Sequence, residues 1–220
     1  MADCQTMASD YSMDADSYFL AGTVALAMDS YDEAMADFDA AYVDEPTYDM
    51  AIQIYQAYVE RDMEADGTRY LEAALETEPE NAEDYCSRGR VYYYMQDYSN
   101  AQKELIEAVN SESTEALLLL GKVYLASEDI SNARAMYQEY AAAEGESAGG
   151  YNGLALCDIA EGNYSSAHTN ISTGLPLADQ EEMQELLFNE IVAYESLLDF
   201  STARQKVIEY LALYPDDEAA

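Results

Sequence analysis

The chain has 220 residues, nine of them basic and 45 acidic, for a formal charge of -36 at pH 7. That balance excludes nucleic-acid binding through phosphate neutralisation and opposes direct binding to anionic membrane surfaces. Half the residues are hydrophobic, enough for a continuous core, and tyrosine is abundant, with 21 residues against four Phe and no Trp. Any buried tyrosine hydroxyl therefore needs a hydrogen-bond partner.

The first 14 residues, which include Cys4, read as a flexible polar tail with no basic start and no apolar run. The chain as given thus shows no signal peptide or membrane span, and a cytoplasmic location is expected. Cys4 followed by an acidic stretch also matches the spacer of a lipid-anchored extracytoplasmic protein trimmed at a signal peptide, which is the alternative.

From residue 15 onward one local phrase returns about every 34 residues: a bulky residue, two small or polar ones, then Ala. Between 15 and 47 it is Tyr31-Asp32-Glu33-Ala34, followed by Phe38, Ala41 and Pro46. Between 48 and 80 Gly67 stands in for the alanine, followed by Leu71, Ala74 and Pro79. Between 82 and 113 a first helical stripe, Tyr85, Arg88, Gly89 and Tyr92, precedes Tyr98-Ser99-Asn100-Ala101, Leu105 and Ala108. Between 114 and 147 the stripe is Leu117, Leu120, Gly121 and Tyr124, and the phrase is Ile130 to Ala133. Between 148 and 181 it is Tyr164 to Ala167, and between 184 and 217 it is Phe200 to Ala203, ending at Pro215. Steps of i, i+4 and i+7 line one face of a helix, and Pro46, Pro79 and Pro215 fall at unit ends because proline cannot continue one.

These phrases resemble the tetratricopeptide repeat (TPR), whose pattern joins a large residue, Leu-Gly, Tyr, Ala, an aromatic and Pro over 34 positions. The resemblance implies an all-α, right-handed α-solenoid of about six antiparallel two-helix units in a single domain over 15–217, with 218–220 as a C-terminal tail. Departures from the pattern are Gly67 for Ala, Tyr140 and Tyr210 at the small position of the second helix, and Asp158 where a tyrosine belongs.

Nothing in the chain points to catalysis, a cofactor or a metal. Cys4, Cys86 and Cys157 are scattered, His168 is the single histidine, and no zinc-ligand spacing or nucleophilic triad occurs. Acidic pairs such as Glu181-Glu182 read as solvated faces. The glycines at 145, 149 and 150 are not followed by the Lys-Ser or Lys-Thr of a phosphate loop. The acid coat itself reads as a solubilising shell, as attraction for a basic partner, or as adaptation to high salt.

The resemblance further implies that first helices line a concave groove for a peptide or helix of another protein, so the expected function is a non-enzymatic scaffold or adaptor. Carried over unit by unit, the groove residues are Phe19 and Thr23, then Gln56, then Cys86, Arg90, Tyr93 and Tyr94, then Leu118 and Lys122, then Asn152 and Leu156, and finally Phe188. Arg90 and Lys122 each follow a unit glycine and are expected to face one groove, where they would pair with a partner carboxylate beside Tyr93 and Tyr94. The Lys and Asn clamp that some relatives use for acidic C-terminal tails is missing from the first three units. At the C-terminal end, Val207, Tyr210, Leu211 and Tyr214 would lie on an uncapped last helix. They form a candidate homodimer contact, and self-assembly through the terminal repeats is the alternative function.

Overall fold

The computed structural model describes residues 13–215 and 217. The tail residues up to 12, with Cys4, and those from 218 on lie outside the described residues. The chain divides into two compact units, Met1–Glu80 and Asn81–Ala220. Among the described residues there is no strand, and none of the helices is long and apolar enough to cross a membrane.

The first unit holds two helix hairpins, α1 (Ala15–Ala27) with α2 (Tyr31–Asp44) and α3 (Tyr48–Val59) with α4 (Glu64–Ala74). The second holds four, α5 (Ala82–Tyr94) with α6 (Tyr98–Asn110), α7 (Glu115–Ala126) with α8 (Ile130–Glu144), α9 (Ala148–Ala160) with α10 (Tyr164–Gly174), and α11 (Gln180–Ser196) with α12 (Phe200–Leu213). A single 3-10 turn, Leu175–Leu177, follows α10. The last hairpin starts at Gln180 rather than 184, because Asp179 and Glu182 form a reciprocal capping box that begins the helix early.

Every hairpin turns by the same device. The residue two positions before the second helix has positive φ: Asp29, Asp62, Gln96, Glu128, Gly162 and Leu198. The next residue's N–H then reaches back five positions, from Ser30 to Ala25, Met63 to Tyr58, Asp97 to Tyr92, Asp129 to Tyr124, Asn163 to Asp158 and Asp199 to Tyr194. This is the Schellman closure, which satisfies carbonyls left open at a helix C-terminus. In three turns the same residue caps the following helix, since Asp97, Asp129 and Asp199 accept from the backbone N–H of Asn100, Asn132 and Thr202. One short segment thereby ends one helix and starts the next, which holds the two helices of each unit antiparallel.

The periodic alanines sit at the helix crossings. Ala34, Ala101, Ala133, Ala167 and Ala203 are all buried, and so is Gly67. Glycine replaces alanine at 67 because α3 comes close there, and a Cβ would stand 3.0 Å from the Cα of Tyr55. Four residues after Ala34, Ala101 and Ala167, the side chains of Phe38, Leu105 and Ile171 are fully buried. Each contributes roughly 1.5–3 kcal/mol by leaving water.

In the first unit the core is aromatic. Phe38 lies between Phe19 (5.8 Å) and Tyr58 (5.3 Å), and Tyr58 stacks on Tyr70 at 6.4 Å. The Tyr70 hydroxyl donates to Asp39 at 2.9 Å and the Tyr48 hydroxyl to the carbonyl of Thr77. In the second unit three clusters follow one another along the hairpins. Cys86, Leu105 and Leu120 join α5, α6 and α7; Ala133, Tyr137 and Cys157 join α8 and α9; Ala155, Ile171 and Leu186 join α9, α10 and α11.

Two buried carboxylates cross-link this unit. Asp158, in place of the repeat's tyrosine, accepts from Arg134 and from Asn170, each at 2.8 Å. Glu190 meets Lys206 at 3.0 Å and Nδ1 of His168 at 3.2 Å. His168 is thus an exposed residue beside the Tyr194 ring and a partner of a structural carboxylate.

Candidate binding groove

The first helices of the second unit adjoin in the order α5, α7, α9, α11, and their exposed faces enclose a groove of about 770 Å³. Tyr93, Leu125, Leu156 and Phe188 supply its apolar surface, one from each of these helices. Tyr210, from α12, closes one end, with its ring 6.2 Å from Phe188. Lys122 is the cation of the groove, and among the described residues it forms no ion pair.

Six polar side chains of the groove are joined by hydrogen bonds among themselves. Asn189 donates to Asn152 Oδ1 at 2.7 Å, and Asn152 Nδ2 donates to Glu185 at 2.9 Å. Asp217 accepts from Gln184 at 3.1 Å and from the Tyr210 hydroxyl. These bonds tie α9 to α11 and bring the chain after α12 back against α11. Burial, together with the Asp217 carboxylate, raises the Tyr210 hydroxyl above its ordinary pKa, and burial with neighbouring phenols raises that of Tyr93. Both rings enter the groove as neutral hydrogen-bonding surfaces. Among the described residues no group of three His, Cys, Asp or Glu side chains is placed to hold a metal ion.

Of the residues expected from sequence, Tyr93, Lys122, Asn152, Leu156 and Phe188 line this groove together. Leu118 lines an adjoining chamber that shares Lys122, Asn152 and Leu156. Cys86 does not face it. It is buried between α5, α6 and α7, because it lies one turn before Gly89 on the stripe that meets Leu105. Arg90 is paired with Glu115 at the start of α7 and does not line the groove, so the pairing of Arg90 and Lys122 on one ligand is not what the structure builds. Tyr94 packs its ring against Tyr93 at 5.8 Å.

Phe19, Thr23 and Gln56 belong to the first unit. Phe19 packs into the aromatic core, the Thr23 hydroxyl is engaged by its own helix at the Phe19 carbonyl, and Gln56 is exposed on α3. At the other end Tyr210 is buried rather than presented for self-association, since Phe188, Tyr214 and Asp217 surround it. Val207, Leu211 and Tyr214 are half-buried. The exposed apolar residues on α12 are instead Phe200, Ile208 and Leu213.

The sequence reading missed Gln184, Glu185 and Asn189, and Asp217 with them. Gln184 and Glu185 precede Phe188 by four and three residues and so share its face, and Asn189 follows Glu185 by four, so the helical period was the available signal. Tyr210 carried a different one, as a large residue where the repeat has a small one.

Hairpins with a small residue at each crossing, and a groove lined by first helices, define an α-solenoid repeat protein. More narrowly, the chain has the tetratricopeptide-repeat fold. A tetratricopeptide repeat protein from Parabacteroides merdae superposes with a TM-score of 0.59 at 14% identity, covering 90% of this chain and 79% of that one. PilW, a type IV pilus biogenesis factor, gives 0.61 at 15% identity over 93% and 95%. The complex of Cut9 with Hcn1 gives 0.60 at 15% identity, over 97% of this chain and 42% of the matched one. At such identities what is shared is the fold. No protein-family model matches the sequence, and no curated protein does.

Proposed function

We propose that the protein is a non-enzymatic interaction scaffold that takes a peptide segment or a helix of another protein in the groove of its second unit. The observation that carries this reading is the groove itself. Four first helices each contribute one large apolar side chain to a recess of about 770 Å³, and Asn152, Asn189, Glu185, Gln184 and Asp217 around it are held by mutual hydrogen bonds. A surface ordered in this way loses little freedom when a ligand binds, and preorganisation of that kind is what converts contact area into affinity. The similarity to Cut9, solved in complex with Hcn1, supports a protein as the ligand.

The test is selection of binding peptides from a displayed random library, followed by affinity measurements on Leu156→Asp and Phe188→Ala. Selected peptides should lose at least tenfold in affinity on either variant, in keeping with the loss of an apolar anchor. Peptides bound equally by wild type and both variants would place the binding surface elsewhere.

A second reading, self-assembly, is favoured by Phe200, Ile208 and Leu213, which leave large apolar side chains in solvent on the last helix. Mass by light scattering over a wide concentration range decides it. A constant monomer mass removes this reading and leaves the first untouched.

A further inference from the structure

Beside the groove, under Lys122, lies a chamber of about 160 Å³ with Tyr137 in its wall. Tyr137 is 1% exposed, and its hydroxyl has no hydrogen-bond partner among the described residues. A buried phenol without a partner costs free energy that an incoming polar group would recover. Asn152, Asp179, Glu181, Glu182 and Glu185 line the same chamber.

The commitments of these groups decide the sign of the ligand. Asn152 gives one amide N–H to Glu185 and accepts from Asn189 at its oxygen, so the one N–H it has left lies beside the Glu185 carboxylate, where an incoming carboxylate would be opposed. Asp179 and Glu182 are engaged in capping α11. Glu185 accepts from Asn152 through one oxygen and keeps further acceptor capacity, and Glu181 is exposed. Against these carboxylates and Asp217 the groove and chamber set one cation, Lys122. The site therefore repels an acidic segment and attracts a basic one.

We propose that the segment taken by the groove is basic. A lysine or arginine side chain of the partner enters the chamber and donates to Glu185 and to the Tyr137 hydroxyl, while neighbouring apolar residues lie on Leu125, Leu156 and Phe188. This rests on the groove reading and adds the partner's charge to it. Lys122, at the rim, sets an upper limit on how much positive charge the segment carries there.

The test uses fluorescence anisotropy on the full chain at physiological salt, with labelled peptides that share one set of Leu and Phe positions. Their polar positions are all Lys and Arg, all Gln, or all Glu, and a scrambled basic peptide controls for attraction to the acidic coat. The basic peptide should bind about tenfold more tightly than the Gln peptide, and Glu185→Gln and Tyr137→Phe should each lose about tenfold of that affinity. Lys122→Gln should tighten it, and Asp32→Asn with Glu33→Gln, on the first unit, should leave it unchanged. Tyr137→Phe removes a hydroxyl with no partner, so an undiminished melting temperature keeps its binding loss separate from misfolding.

Equal affinity for the Gln and basic peptides, equal binding of the scrambled one, or an acidic preference abolished by Lys122→Gln would overturn the basic occupant while leaving the groove in place. Peptides unaffected by Leu156→Asp would overturn the groove reading, and this inference with it.

Discussion

A Cβ on Gly153 would stand 2.2 Å from Cδ1 of Tyr137, and one on Gly121 would stand 2.7 Å from Cε1 and Cζ of the same ring. The ring is clasped between α7 and α9 at two positions where only hydrogen fits. Gly153→Ala should therefore destabilise the chain by about 1–3 kcal/mol, the usual cost of overpacking, despite alanine's better helix propensity. Urea unfolding followed by circular dichroism measures it, and an unchanged midpoint would mean that the ring moves aside freely.

Leu198 makes the last hairpin turn with φ of 59° and its side chain largely in water. Left-handed backbone is costly for a residue with a Cβ and free for glycine, and the fifth hairpin already uses Gly162 at this position. Leu198→Gly should stabilise the protein by about 0.5–1 kcal/mol, after allowing for glycine's greater freedom in the unfolded chain. A lower thermal midpoint for this variant would show that Leu198 is held by contacts rather than by the turn.

Glu190 is buried and compensated by Lys206 and His168. Removing the lysine leaves a buried carboxylate short of a partner, so Lys206→Met should cost about 2–4 kcal/mol. Adding Glu190→Gln should restore most of the loss. If the double variant is as unstable as the single one, the loss comes from packing rather than charge.

Burial pushes the Cys157 thiol from its ordinary 9.0 up to about 11 and raises the hydroxyls of Tyr137 and Tyr70 as well. These groups ionise earlier in the unfolded chain, which then binds fewer protons than the folded one. The contribution of the thiol is complete below about pH 9 and is lost as pH rises to about 11, and that of the two hydroxyls is complete below about pH 10 and falls on beyond it. Urea midpoints should fall across that window, and Cys157→Ala should make the fall shallower. A flat profile would show that the thiol ionises as easily folded as unfolded.

With 45 acidic residues against nine basic, the folded surface repels itself. Salt shortens the reach of that repulsion from about 10 Å at 0.1 M to about 3 Å at 1 M. The melting temperature should rise steadily with sodium chloride. A fall would show that the ion pairs, such as Arg134 with Asp158 and Glu161, outweigh the repulsion.

The sequence by itself determined the repeat. A period of about 34 residues with Ala or Gly at each crossing follows from covalent geometry and close packing, which act over short stretches of chain. Ala101, Leu105 and Ala108 announced a buried helix face, and the prolines announced the ends. The same period placed Tyr93, Lys122, Asn152, Leu156 and Phe188 on first helices, where the groove is found.

What only the tertiary structure decided is which neighbours those residues meet. Cys86 and Arg90 were assigned to the groove by position, yet one turn of helix puts Cys86 in the core, and the start of the next hairpin brings Glu115 to Arg90. The chamber under Lys122 draws Tyr137 from α8, Asn152 from α9 and Glu185 from α11. Contacts over such separations depend on how the hairpins stack, and a local pattern carries no record of that.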